Sequence, residues 1–187
     1  MSALSLPGES LADGSTALRP WRKSDVRELV RICRDEEIVR WTAVPRAYSE
    51  ADARLYLLRR HDAIRAGTAA PFAVVSNPQA ELIGSIALVR IAWEHLRAEV
   101  GYFLARDARG AGHATRAVRL ICEWAFASLG VERVDLYAAT GNPASQRVAE
   151  RAGFTREAVL RSFMRGKGAQ LDMVAFGLIA TGSCAVR

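Results

Sequence analysis

The sequence predicts an α+β domain on a mixed, largely antiparallel sheet of seven strands with about four helices. Three observations carry this. Glu99-Val-Gly-Tyr-Phe-Leu104 alternates two faces as a strand does, and a loop rich in Gly and Arg joins it to an amphipathic helix. Asn77-Pro78 marks a turn between two apolar runs, because Pro offers no ladder N–H and Asn favours turns. The remaining strand and helix segments follow one another along a length that suits one domain.

In chain order, a strand is predicted at about 16 to 22, helices at about 24 to 35 and 49 to 66, and strands at about 71 to 77 and 81 to 93. In the next strand Val100, Tyr102 and Leu104 share one face, and Glu99, Gly101 and Phe103 the other. The helix after it places Ala114, Ala117, Val118, Ile121, Ala125 and Leu129 at steps of three and four, and Gly130 ends it. A strand at about 132 to 139 precedes a helix at about 143 to 152, which Asn142 caps and Pro143 opens. Strands near 154 to 163 and 170 to 179 complete the sheet.

The loop between the fourth strand and its helix is a candidate anion site. A helix start leaves its first N–H groups unpaired and carries partial positive charge, and small residues let an anion approach the backbone. Two phosphate-binding motifs are excluded. The only Gly-Lys pair, Gly166-Lys167, is followed by Gly168 rather than Ser or Thr, and Gly110-Ala-Gly112 has Thr115 where a dinucleotide loop needs Gly or Ala. What remains is Arg109-x-x-Gly112-x-Ala114.

This residue pattern resembles the acetyl-CoA signature of the GNAT acetyltransferases. Leu18-Arg-Pro20-Trp with Asp25, Arg40-Trp41 followed by Pro45, and Ser49-Glu-Ala-Asp52 resemble the opening of their RimJ/RimL branch. Leu129-Gly-Val-Glu-Arg133, Asn142-Pro-Ala-Ser145 through Glu150-Arg-Ala-Gly153-Phe154, and Gly168 with Asp172 resemble its closing half. The resemblance implies a sheet splayed between its fourth and fifth strands, with acetyl-CoA in the gap and no metal. It implies that the amides of Gly110, Ala111, Gly112, His113, Ala114 and Thr115, beside Arg109, hold the pyrophosphate. It further implies that a backbone N–H among Tyr102, Phe103 and Leu104 meets the thioester oxygen, that Asn142 contacts the cofactor arm, and that Ser145 protonates the leaving thiolate.

Amide formation needs a neutral amine and a proton acceptor. Glu99, on the face beside the gap, is the candidate base; its other reading is a surface carboxylate paired with Arg97 or Arg90. Two departures from the family pattern bear on this chemistry: Ala149 stands where other branches carry a Tyr acid, and Met164 where some RimL-type enzymes carry a Glu base. For the acceptor, Trp41, Tyr48 and Tyr56 fall in the first two helices and their connection, where ordinary core and helix packing is the leading reading and an acceptor role the other, and Trp93 falls on a strand-end loop near the cleft. The implied activity is N-acetylation of a protein or peptide amino terminus. A small amine acceptor, such as an amino acid, polyamine or aminoglycoside, and a CoA-binding regulator without turnover are the alternatives.

Residues 1 to 15 read as a loose leader, 16 to 180 as the domain and 181 to 187 as a tail. No stretch approaches the ~20 apolar residues of a membrane span. Cys33, Cys122 and Cys184 are odd in number and scattered, which points to a reducing, cytoplasmic setting. The net charge of +6 is dispersed rather than striped, so no direct nucleic-acid binding is expected, and a basic rim suits an anionic cofactor. His61, His95 and His113 lack metal spacing. The resemblance also allows a homodimer.

Overall fold

The computed structural model describes residues 4–180. Its eight strands are β1 (Leu11–Asp13), β2 (Thr16–Arg19), β3 (Ala70–Ser76), β4 (Leu82–Ala92), β5 (Arg97–Leu104), β6 (Arg133–Ala139), β7 (Thr155–Arg165) and β8 (Gln170–Ile179). The helices are α1 (Val26–Cys33), α2 (Glu36–Trp41), α3 (Glu50–Arg65), α4 (His113–Leu129) and α5 (Pro143–Arg151). The sheet runs β1-β2-β3-β4-β5-β6-β8-β7, and every adjacent pair is antiparallel except β5 with β6.

Two elements exceed the seven strands and four helices predicted. The leader is not loose throughout. Leu11–Asp13 pairs with Thr16–Leu18 as an edge strand, and Leu4 is buried with its N–H donating to Ile64 O at 3.2 Å. Residues 1–3 and the predicted tail at 181–187, with Cys184, lie outside the described residues. The first predicted helix also stops at Cys33. Asp35 is extended, and its Oδ1 accepts from Glu37 N (3.0 Å) and Ile38 N (3.1 Å), so its carboxylate caps a new helix, α2.

The core lies on both faces of the sheet. Val118, Ile121 and Ala125 of α4 are buried along the predicted stripe, and Trp124 meets Phe72 edge-on at 5.3 Å. Gly130, at φ +67, ends α4 in the left-handed conformation that Gly adopts most readily. The Leu18-Arg-Pro20-Trp motif ends β2 in a buried ion pair: Arg19 Nη1 and Nη2 donate to the two Asp25 oxygens at 2.8 Å each, and Arg22 N donates to Oδ2 at 2.7 Å. Cys33 and Cys122 are free and buried, and burial pushes both thiols up to about 12.

One feature of the sheet makes the site. β5 and β6 pair only at Arg97–Arg133, Ala98–Val134 and Glu99–Asp135. Beyond Glu99 both strands continue without pairing to each other, so the sheet opens between them. Below the opening, Asp135 is buried and binds the Arg97 and Arg133 guanidinium groups, the latter at 2.8 Å. The Arg97–Asp135 bond crosses from β5 to β6 and clamps the strands at the base of the splay, while Arg133 braces the same carboxylate from within β6.

Candidate active site

The splay forms a cleft of about 1050 Å³. Alternation on β5 gives it two distinct sides. Ser85 of β4 lies opposite Phe103, and its Oγ meets Tyr56 OH of α3 at 2.8 Å, so Glu99, Gly101 and Phe103 share the α3 face. Tyr102 belongs to the other face, where its hydroxyl meets Ser145 Oγ of α5 at 3.0 Å. Glu99 and Ser145, the two predicted catalytic residues, both line this cleft from opposite faces.

Glu99 is partly buried, with its carboxylate 4.0 Å from Arg90 Nη2. Burial raises its pKa above the ordinary value of 4.5; Arg90 opposes the shift and Asp135 adds to it. On the other face, burial pushes the Tyr102 phenol up to about 12, so it stays protonated at neutral pH. Ser145 is fixed at the start of α5, where its N–H donates to Asn142 Oδ1 at 3.1 Å.

Past Glu99, the edge of β5 facing β6 has no strand partner, which leaves alternate amides of the segment holding Tyr102, Phe103 and Leu104 without ladder acceptors. At the start of α4, Gly112 is the N-cap at φ +86 with no side-chain cap, and a Cβ on Gly110 would meet nothing within 4 Å. Gly110, Gly112, Ala114 and Thr115 line the cleft; Ala111 and His113 do not. The His113 ring instead meets Thr16 Oγ1 at 2.8 Å, tying α4 to β2, and burial lowers its pKa from 6.5. Arg109 folds back: Nε and Nη2 donate to Leu104 O at 3.1 and 3.0 Å, and Nη2 also to Asp35 Oδ1 at 2.7 Å. Its guanidinium braces the loop against α2.

Of the predicted acceptor residues, Trp41 and Tyr48 line the cleft and Trp93 does not. The Trp93 indole N–H donates to Gly67 O at 2.7 Å, which commits the ring to packing the β4–β5 connection onto the end of α3. Trp41 crosses to the β6–α5 turn, where a Cβ on Gly141 would lie 3.3 Å from its ring. Tyr48 is buried beside Cys33. Met164 lines the cleft where a second carboxylate was absent from the sequence, and Asp172 accepts from Ser162 N at 2.8 Å in a supporting role.

Some contributions had no local signature. The Tyr102–Ser145 contact joins residues 43 apart. Lys167, which follows Gly166 in a pair that lacks the Ser or Thr of a phosphate loop, donates to Val39 O at 2.7 Å and to Val44 O, so the β7–β8 turn clasps the end of α2. Among the described residues no group of three metal-binding side chains occurs, and no helix is long and apolar enough to cross a membrane.

The sequence profile of the acetyltransferase (GNAT) domain matches residues 16–155. The chain belongs to the GNAT acetyltransferases. As a GNAT enzyme it is an N-acetyltransferase whose acetyl donor is acetyl-CoA. It is 27% identical over 171 residues to p20, an uncharacterized N-acetyltransferase of Bacillus licheniformis, covering 91% of this chain and 96% of p20. It is 26% identical over 141 residues to the spermidine N(1)-acetyltransferase of Vibrio cholerae, covering 75% and 79%. Among solved structures, RimL, a ribosomal L7/L12 alpha-N-protein acetyltransferase in complex with coenzyme A, superposes with TM-score 0.84 at 19% identity, covering 91% of this chain and 98% of RimL. That likeness places this GNAT enzyme's fold beside the RimJ/RimL branch.

Proposed function

We propose that this enzyme acetylates the α-amino group of a protein or peptide amino terminus by direct attack of the neutral amine in a ternary complex. Bound acetyl-CoA supplies the thioester, and the chain's own residues position it and handle the protons. The open amides of Gly110, Gly112, Ala114 and Thr115 hold the pyrophosphate. A free-edge amide among Tyr102, Phe103 and Leu104 donates to the carbonyl oxygen, and Asn142, capping α5, stands beside the cofactor arm. Glu99 receives the amine proton on the α3 face. Ser145 Oγ gives a proton to the departing sulfur on the α5 face and takes one back from solvent, as Glu99 returns the amine's proton to solvent, so both residues are restored; Tyr102 OH, protonated up to about 12, holds the serine hydroxyl in place.

The modest supply of base carries the acceptor assignment. Among the described residues three carboxylates line the cleft, and two are engaged: Glu37 accepts from Trp41 Nε1 at 2.8 Å, and Asp52 closes the capping box with Ser49. Glu99 remains as the one base, and the Met164 thioether cannot take a proton. An α-amine, with a pKa of about 7.7 to 8.0, is neutral in roughly a tenth of molecules at pH 7. A lysine-type amine, near pKa 10.4, is neutral in about one of 2,500. A single partly buried carboxylate beside an arginine suits the first.

Release of free thiol from acetyl-CoA, followed across peptides with free amino termini, the same peptides blocked at the terminus but carrying lysine, and small amines, tests the assignment. Free-terminus peptides are expected to be turned over and blocked ones not. Turnover confined to small amines would overturn it. For the cradle, Gly112→Asp is expected to raise the CoA Kd measured by calorimetry roughly 30-fold, about 2 kcal/mol, by setting a carboxylate against a phosphate. Gly112→Ala separates that charge effect from strain at φ +86; an unchanged Kd in the Asp variant would remove the pyrophosphate from this loop.

A further inference from the structure

The acceptor wall of the cleft carries two arginines for which the described residues supply no carboxylate partner. Arg59 and Arg60, successive residues of α3, line the cleft. Among the described residues neither makes an ion pair within 4.0 Å, whereas nearby arginines do: Arg54 with Glu50 at 2.5 Å, Arg40 with Glu37 at 3.6 Å and Arg109 with Asp35 at 2.7 Å. Arg147 and Arg151 also line the cleft, but they stand on α5, on the leaving-group side.

Arg60 is held by stacking. Its guanidinium carbon lies 4.6 Å from the Tyr56 ring centre, and Tyr56 OH meets Ser85 Oγ, opposite Phe103 on the reactive strand. Stacking restrains the guanidinium while leaving its in-plane N–H groups free to donate. With 2.8 Å from Ser85 Oγ to Tyr56 OH and 4.6 Å from the Tyr56 ring centre to Arg60, the phenol between them puts Arg60 no farther than on the order of 10 Å from Ser85, within the reach of about three extended residues. A planar fork at that distance matches a carboxylate on a side chain close behind the reacting terminus.

We infer that the acceptor presents a carboxylate at its second or third residue and that Arg59 and Arg60 receive it, so that the preferred substrates are acidic amino-terminal segments. This rests on the amino-terminal reading above. A polyamine would bring only positive charge to this wall, which would repel it.

The test compares peptides that differ only at their second and third residues: Ser-Asp-Asp, Ser-Asn-Asn and Ser-Lys-Lys leaders on one neutral tail. Free aspartate, asparagine and spermine run beside them. The acidic peptide is expected to exceed its amide counterpart at least tenfold in kcat/KM, with the difference in KM. The Arg59→Gln, Arg60→Gln double variant is expected to bring that ratio to about one with CoA affinity unchanged. Arg59→Glu with Arg60→Glu is expected to favour the lysine peptide. Equal kcat/KM for the acidic and amide peptides, or a preference that survives the double variant, overturns the inference and leaves the amino-terminal reading standing. Acetylation of aspartate over asparagine without peptide turnover sinks both, because free aspartate carries its carboxylate on the same residue as its amine; turnover of spermine alone sinks both as well.

Discussion

Asp25→Ala is expected to cost about 3 to 5 kcal/mol of folding stability, the range for removing one partner of a buried ion pair. Arg19 and Asp25 keep only 8% and 7% of their side-chain surface, and their fork-to-fork geometry closes with two bonds of 2.8 Å. Without the carboxylate, Arg19 would keep only its bond to Pro20 O at 3.1 Å, its Nε being already unpartnered. The Arg22 N–H would lose its acceptor as well. Most of the cost is a stranded buried cation rather than a lost attraction, and a second variant separates the two. Arg19→Met with Asp25→Leu is expected to recover most of the loss, because apolar groups of similar volume need no partner. Urea denaturation of the three proteins at equal slope is the measurement; a single variant within 1 kcal/mol of the unchanged protein would show that water reaches Arg19.

That ion pair also shows what a sequence motif can and cannot convey. Leu18-Arg-Pro20-Trp with Asp25 marks the family, yet its work is structural, ending β2 and turning the chain into α1. Features set by local chemistry were legible: the alternation from Glu99 to Leu104, the small residues before α4, and the Asn142-Pro143 helix start all appear where the residue types require them. Features set by contacts between distant segments were not. Leu11–Asp13 is too short to announce a strand, and it exists because β2 offers an edge. Trp93 lies on the predicted connection, but its indole is fixed by Gly67, 26 residues away. The two-sided character of the cleft follows from the alternation on β5, whereas the partners on each side, Tyr56 and Ser145, become visible only when α3 and α5 have packed.

Glu99→Gln is expected to lower kcat by about 10²- to 10⁴-fold, the usual contribution of a positioned general base, with CoA affinity unchanged. The substitution keeps shape and removes only the capacity to take a proton. The pH dependence supplies a readout that a structural role would not move. Glu99 acts as carboxylate, so activity falls as pH drops through its pKa, and burial raises that pKa above 4.5. In kcat/KM this limb joins that of the free α-amine, at about 7.7 to 8.0; in kcat, measured with the complex filled, the Glu99 limb stands apart. The Gln variant is expected to lose that limb from kcat and keep the amine limb in kcat/KM. Arg90→Ala gives the matching sign test. Arg90, 4.0 Å from the carboxylate, favours its charged form, so removing the cation is expected to move the acid limb of kcat to higher pH while leaving the plateau rate in place. A limb that stays put in the Arg90 variant and survives in the Gln variant would assign it to another group and leave Glu99 as a surface carboxylate on the rim of the cleft.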